Sequence, residues 1–292
     1  MPLFRHVRRY AAIALLSLLL ITPALAQPAL WVVRNTHTTI YLFGTVHLLP
    51  NDTHWHYPAL DKALAASDSL TIELTDDDAA NMQALVLQYG LDPTHPLSGR
   101  LTSAENATLA QAVQTAGIPG GSQTLQIMRP WLAGLTLAVA PLMKAGLDPE
   151  HGVDKLLKAQ MKQAGKPVNG LETAEQQIRF LSDLPPDVEL AFLRSTLHDI
   201  DKGPTELTEL VTAWESGDVA TIAQIENDDL RQQAPDLYQR LLVQRNQAWA
   251  GKIASMLQQT GTVFIAVGAG HLAGPDSVQV QLQKLGIEAT RQ

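Results

Sequence analysis

Two histidines occupy the same frame in distant parts of the chain. "GTVH" (Gly44 to His47) follows the apolar run "IYLF", and "GAGH" (Gly268 to His271) follows "VFIAV". Glu73 lies at the end of "SLTIEL", one residue before Leu74, and Glu172 closes "KPVNGLE", so four apolar or β-rich runs lead to two imidazoles and two carboxylates. Such groups suit either of two chemistries. They can hold a divalent ion (zinc, manganese or cobalt) with a water in an open position, His47, Glu73 and His271 being the ligand candidates. They can equally act without metal, a histidine oriented by an acid serving as general base. Glycine ahead of each histidine allows positive φ or a close backbone approach. The plain alternative is a pair of structural turns. Two arginines lie in apolar surroundings, Arg129 in "LQIMRPWLAG" and Arg245 in "LLVQRNQAWAGKIASML". A charge there needs a carboxylate partner or a substrate oxyanion.

Other candidates carry less. His54 and His56 in "THWHYP" fit a loop before a helix, His95 and His198 lack supporting context, and Asp154 lies in the first turn of the helix that His151 heads, an ordinary place for an acid. Asp76, Asp77 and Asp78 behind Glu73 read as a helix cap and solvated face, although a calcium or magnesium ion could use them.

The elements needed to position these groups are legible in pattern. Leu30 to Val33 and Thr38 to Phe43 predict a hairpin, Pro58 to Ala66 a helix and Ser69 to Leu74 a strand, which is the start of a parallel α/β unit. Gly120 to Ala145 is apolar nearly all round and predicts one buried helix bent near Pro141. His151 to Gly165 predicts a helix and Lys166 to Glu172 a short strand. Pro185 to Gln259 is mostly helical, Thr262 to Val267 a buried strand, Pro275 to Leu285 a helix and Gly286 to Thr290 an edge strand. The expected fold is α/β, a mixed or mostly parallel sheet with flanking helices and a mainly helical insert around 175–260. In such sheets ligands gather beyond the carboxyl ends of the strands, where both histidine frames fall.

Composition bounds the partners. Arg5, Arg8 and Arg9, an apolar stretch from Ala11 to Ile21 and "ALA" at 24–26 form a signal-peptide pattern with cleavage before Gln27, too short for a membrane span. The expected mature chain, 27–292, is exported, to the periplasm if the source is Gram-negative, without a stable membrane span. No cysteine is present, so neither disulfides nor thiolate metal sites contribute. A formal net charge of −8, more negative without the leader arginines, argues against nucleic acid.

The stretches "YLFGTVHLLP", "ALAASDSLTIEL", "GVDKLLKAQMKQAGKPVNGLETAEQQIRFL", "RNQAWAGKI" and "FIAVGAGHLAGPDSV" resemble the TraB/GumN family, related to the Tiki metalloproteases and, more distantly, to erythromycin esterase-like proteins. The resemblance implies an α/β fold and a site of His47, Glu73 and His271 with an arginine, Arg129 or Arg245. It implies divalent-metal-dependent peptide hydrolysis if the Tiki relatives are the guide, with Glu73 or Glu172 moving the proton. It implies metal-free ester or lactone cleavage if the esterase-like relatives are. A third expectation is an exported protein that binds a peptide or small molecule in the same pocket.

Overall fold

A computed structural model describes residues 27–50, 53–200 and 202–292; the expected signal peptide, 1–26, lies outside them. Strands β1 (Leu30–Arg34), β2 (Thr38–Thr45), β3 (Ser69–Ile72), β4 (Val168–Gly170), β5 (Gly261–Gly268) and β6 (Thr290–Arg291) form one mixed sheet in the order β4-β3-β5-β2-β1-β6. The pairs β4–β3, β3–β5 and β5–β2 are parallel, whereas β1 runs antiparallel to both β2 and β6. The expected α/β architecture is present, and the chain's last long strand sits at the sheet centre between two of its first.

Helix α1 (Pro58–Ala66) crosses from β2 to β3. Between β3 and β4 run α2 (Ala79–Tyr89), α3 (Ser103–Ala116), α4 (Pro130–Lys144) and α5 (Val153–Gln163). Between β4 and β5 come α6 (Ala174–Ser182), α7 (Pro186–Asp199) and α8 (Gly203–Ser216). A helical segment follows through Val219–Ala223, a π-helical turn Gln224–Asp228 and Asp229–Gln233. A second runs through Pro235–Tyr238, a π-helical turn Gln239–Val243 and α9 (Gln244–Met256); α10 (Val278–Lys284) follows β5. Helices therefore fill both long crossings.

The apolar segment before Lys144 is not one helix. Arg129 is extended (φ −65°, ψ 153°) and Pro130 takes the first helical position, where its missing N–H costs nothing, so α4 starts afresh there with Pro141 inside it.

Alternation along the strands divides the core. Phe43, Phe264 and Leu70 face a layer containing Trp55, Trp214 and Leu157, while Ile40, Leu42, Ile265 and Val267 face Trp249, Ile253 and Leu282. Both faces of the central strands are buried, which explains their continuous apolar runs. A separate cluster of Leu97, Leu109, Leu137 and Leu193 joins α3, α4 and α7. No helix among the described residues is long and apolar enough to cross a membrane.

Candidate active site at the carboxyl edge of the sheet

All four parallel strands deliver a side chain to the same edge. His47 lies two residues past β2, Glu73 one past β3 and Glu172 two past β4; His271 lies in the tight turn Ala269–Leu272 directly after β5. Because β2 and β5 pair in parallel, with Gly44 opposite Val267 and Thr45 opposite Gly268, the two histidine frames are neighbours.

Their glycines serve close approach, since none of Gly44, Gly268 and Gly270 has positive φ. A Cβ on Gly44 would stand 3.1 Å from the Cα of Ala269. A Cβ on Gly268 would meet Glu73 Oε1 at 3.3 Å, with His271 Cδ2 and His47 Nε2 each at 3.6 Å, so three site residues converge over one glycine.

His47 Nδ1 is 3.0 Å from Asp154 Oδ1, which leaves Nε2 toward Gly268. Gly152 permits this, for a Cβ there would press on the His47 carbonyl at 2.6 Å, and Val153 N–H donates to Val46 O. Burial disfavours the imidazolium, but the hydrogen bond and charge of Asp154, with Glu73 and Glu226, outweigh it and raise the pKa to about 9. The side chain is 58% exposed, so solvent trims the size of that shift without changing its sign.

His271 is the opposite case. It is 8% exposed, packed on Trp249 with ring centroids 4.4 Å apart. Arg245 Nη1, which can only donate, lies 3.1 Å from Nε2, and Asn246 Oδ1 lies 2.6 Å from Nδ1. That pairing defines a neutral ring with its proton on Nδ1. Burial, with the charge of Arg245 adding to it, depresses the pKa to about 3.

Arg245 joins the carboxylates. It donates through Nη2 to Glu73 Oε2 at 2.5 Å and through Nε and Nη2 to Glu172 at 2.9 to 3.1 Å, while Trp249 lies under the guanidinium at 4.7 Å. Glu73 also accepts from Gly268 N–H at 2.8 Å and Gln177 at 2.9 Å. Burial opposes its ionisation, yet the charges of Arg245 and His47 and that N–H bring its pKa down to about 2. Glu172 further accepts from Trp249 Nε1 and Gln177, which uses its oxygens to hold Arg245 in place.

A cavity of about 440 Å³ opens on this cluster, bounded by His47, Glu73, Arg245, His271 and Glu226 against leucines that include Leu207, Leu210 and Leu242. A second of about 260 Å³ lies on the Asp154 and Gln177 side of His47 and Glu73. Of the two arginine candidates, Arg245 lines the first cavity. Arg129 is elsewhere, pairing with Glu189 and donating to Ser182 O and Tyr89 O, so its buried charge is answered within the helical layer.

The metal that the resemblance implies would have to share its donor set with Arg245. Arg245 supplies a positive charge and N–H groups where a cation bound by Glu73 and His271 would take their lone pairs. Among the described residues, no group of three or more His, Cys, Asp or Glu is gathered tightly enough to hold a metal. In this arrangement His47, Glu73 and His271 do not fit a three-ligand centre.

The acids behind Glu73 are structural: Asp76 caps α6 through Ala174 N–H, Asp77 pairs with Lys155 and Lys158, and Asp78 caps α2. His56 pairs with Asp61 and His95 with Asp92, away from the cavity. Sequence reasoning missed Glu226, Gln177 and the role of Asn246, and gave Asp154 only its dipole role. The adjacency of Asn246 to Arg245 was the one available signal among them.

Comparison with known proteins gives the family of the chain. The TraB/PrgY/gumN family model matches residues 29–291. The chain is 30% identical over 264 residues to the uncharacterized protein YbaP of Escherichia coli (strain K12), covering 88% of this chain and 92% of that one. It is 26% identical over 267 residues to an uncharacterized protein of Treponema pallidum (strain Nichols), covering 85% and 78%. No solved structure matches significantly. With nearly the whole described chain matched and the paired frames meeting at one sheet edge, the protein belongs to the TraB/PrgY/gumN family.

Proposed function

We propose that this protein is an exported hydrolase that cleaves an ester or amide bond of a small molecule or peptide, with His47 as the base that activates water. The carrying observation is the Asp154–His47 pair, 3.0 Å apart, with Nε2 directed at the convergence point over Gly268. Asp154 fixes the tautomer, neutral Nε2 takes a proton as water adds to the carbonyl, and Arg245 offers positive charge to the oxyanion. Glu73 and Glu172 keep that guanidinium in place. Export rests on the basic, apolar and "ALA" pattern of residues 5–26.

A divalent-cation version of the same hydrolysis draws support from the convergence of His47, Glu73 and His271 over Gly268. It requires Arg245 to release Glu73 and His271. The deciding experiment uses residues 27–292 purified without chelator, assayed on a panel of esters and peptides with and without chelator, beside elemental analysis. Chelator-resistant turnover, lost in a folded His47→Ala variant, is expected. Wild-type turnover by that variant would remove His47 from its role, and near-stoichiometric zinc, manganese or cobalt would move the assignment to the cation version.

A further inference from the structure

The cavity contains an acid that the chemistry above leaves unused. Glu226 belongs to the π-helical turn Gln224–Asp228, whose wider hydrogen-bond spacing bulges the helix at that point. The next residue anchors the turn to the second histidine frame: Asn227 is buried and its Nδ2 donates to Gly270 O at 2.9 Å and Ala273 O at 3.2 Å. The Glu226 carboxylate then fills the space where a side chain at position 270 would stand. A Cβ on Gly270 would be 2.2 Å from Glu226 Oε2, so only glycine leaves room for the carboxylate there. This assigns a purpose to the inner glycine of "GAGH".

The surroundings of Glu226 differ from those of the other two acids. Glu73 and Glu172 each share the Arg245 guanidinium. Among the described residues Glu226 makes no ion pair, and the groups that share its cavity are His47 from the β2 end, Glu73 from the β3 end, His271 after β5 and Arg245 from α9. Much of the remaining wall is leucine, with Leu210 from α8, and Leu230 and Leu242 from the two π-interrupted segments. An acid placed there gains little by ionising.

We propose that Glu226 is held as a neutral carboxylic acid and supplies the proton to the leaving group, an assignment that rests on the hydrolase reading. Water oxygen bonds to the carbonyl carbon as His47 Nε2 takes its proton. The bond to the leaving oxygen or nitrogen then breaks with its electron pair, and that atom takes the Glu226 proton. Proton return from His47 to Glu226, directly or through solvent, restores both groups. Burial first, and then the Glu73 charge, raise the pKa of Glu226 to about 7 against the opposing effects of His47 and the Gly270 N–H.

Two measurements on wild type and Glu226→Gln test this. The first needs no substrate: melting temperature against pH. A carboxyl whose folded pKa lies above its unfolded value makes wild type lose stability, relative to Glu226→Gln, as pH rises from about 4.5 to about 7, by roughly 5–10 °C. Parallel curves would overturn the proposal. The second compares hydrolysis of an activated nitrophenyl ester with that of an alkyl ester of the same acid. Glu226→Gln is expected to lose about 10²-fold on the alkyl ester and little on the activated one, because a good leaving group needs no proton. Equal losses on both would also overturn it. Absence of any wild-type turnover would sink the hydrolase reading, while the melting comparison would still decide whether Glu226 holds a proton.

Discussion

His47 and His271 share a sequence frame but are opposite in electrostatics. His271 is buried, neutral and bound by Arg245 and Asn246, so its lone pair is already engaged. His47 is exposed on one side and tied to Asp154. Because its folded pKa lies above the ordinary 6.5, the Asp154 interaction stabilises the protein fully below that value and is lost as pH rises through the folded pKa. Only the neutral ring can act as base, so hydrolysis of an activated ester, which needs no proton from Glu226, should rise with pH on an acid limb set above 6.5. Asp154→Asn should move that limb toward 6.5 and lower kcat by about 10²-fold through loss of tautomer control. A pH profile, with an NMR titration of the His47 ring, checks both. An unmoved ring pKa would show that Asp154 does not govern His47. At this scale much was legible: a repeated glycine–histidine frame at strand ends, and Glu73 at a third, are local patterns. Glu226 was not, because a π-turn that turns one polar helical residue inward has no period to read. Arg129 and Arg245 were indistinguishable because both sit in apolar text, and only tertiary partners separate them.

The helices hold a partly separate account of stability. Arg129 stands at the start of α4 and reaches Glu189 on α7, which is 3% exposed. Removing the cation leaves that carboxylate buried without its partner, so Arg129→Ala should cost on the order of 3 kcal/mol in urea unfolding. Turnover per folded molecule should stay within about twofold of wild type, since surface and distal changes leave transition-state contacts intact. A loss above about tenfold in a folded variant would bring Arg129 back into the site. The strands and the α1 and α5 helices were readable because alternation and helical spacing are strong there. The stretch from Gly120 was not: its unbroken apolar character hid the chain reversal at Arg129 and the new helix beginning at Pro130.

For the whole molecule, the sheet edge gathers groups from nearly the full length of the described chain, and β1 begins three residues after the expected start of the mature chain at Gln27. Pro28 O accepts from Tyr57 Oη at 2.7 Å and Ala29 is buried, so a mature chain beginning at Gln27 keeps the first contacts of β1. Amino-terminal sequencing of protein recovered from the periplasmic fraction should read Gln27-Pro28-Ala29. Recovery with Met1 intact in the cytoplasmic fraction would count against export. Class and edge placement were inferable from strand–helix alternation, whereas the order β4-β3-β5-β2-β1-β6 was not, because register between distant strands leaves no mark on either.

The central position of β5 also governs when this machinery can exist at all. β2 and β3 are made early but do not pair with each other; each pairs with β5, from Gly261 onward, so each keeps one edge open until β5 has been made. Such distant pairing is slow to close. A nascent or carboxyl-truncated chain ending before β5 therefore has no assembled site, and β2 and β3, paired only to β1 and β4, each keep one apolar edge open. Folding intermediates of this protein should be inert and prone to association, and activity should appear only in a single late step.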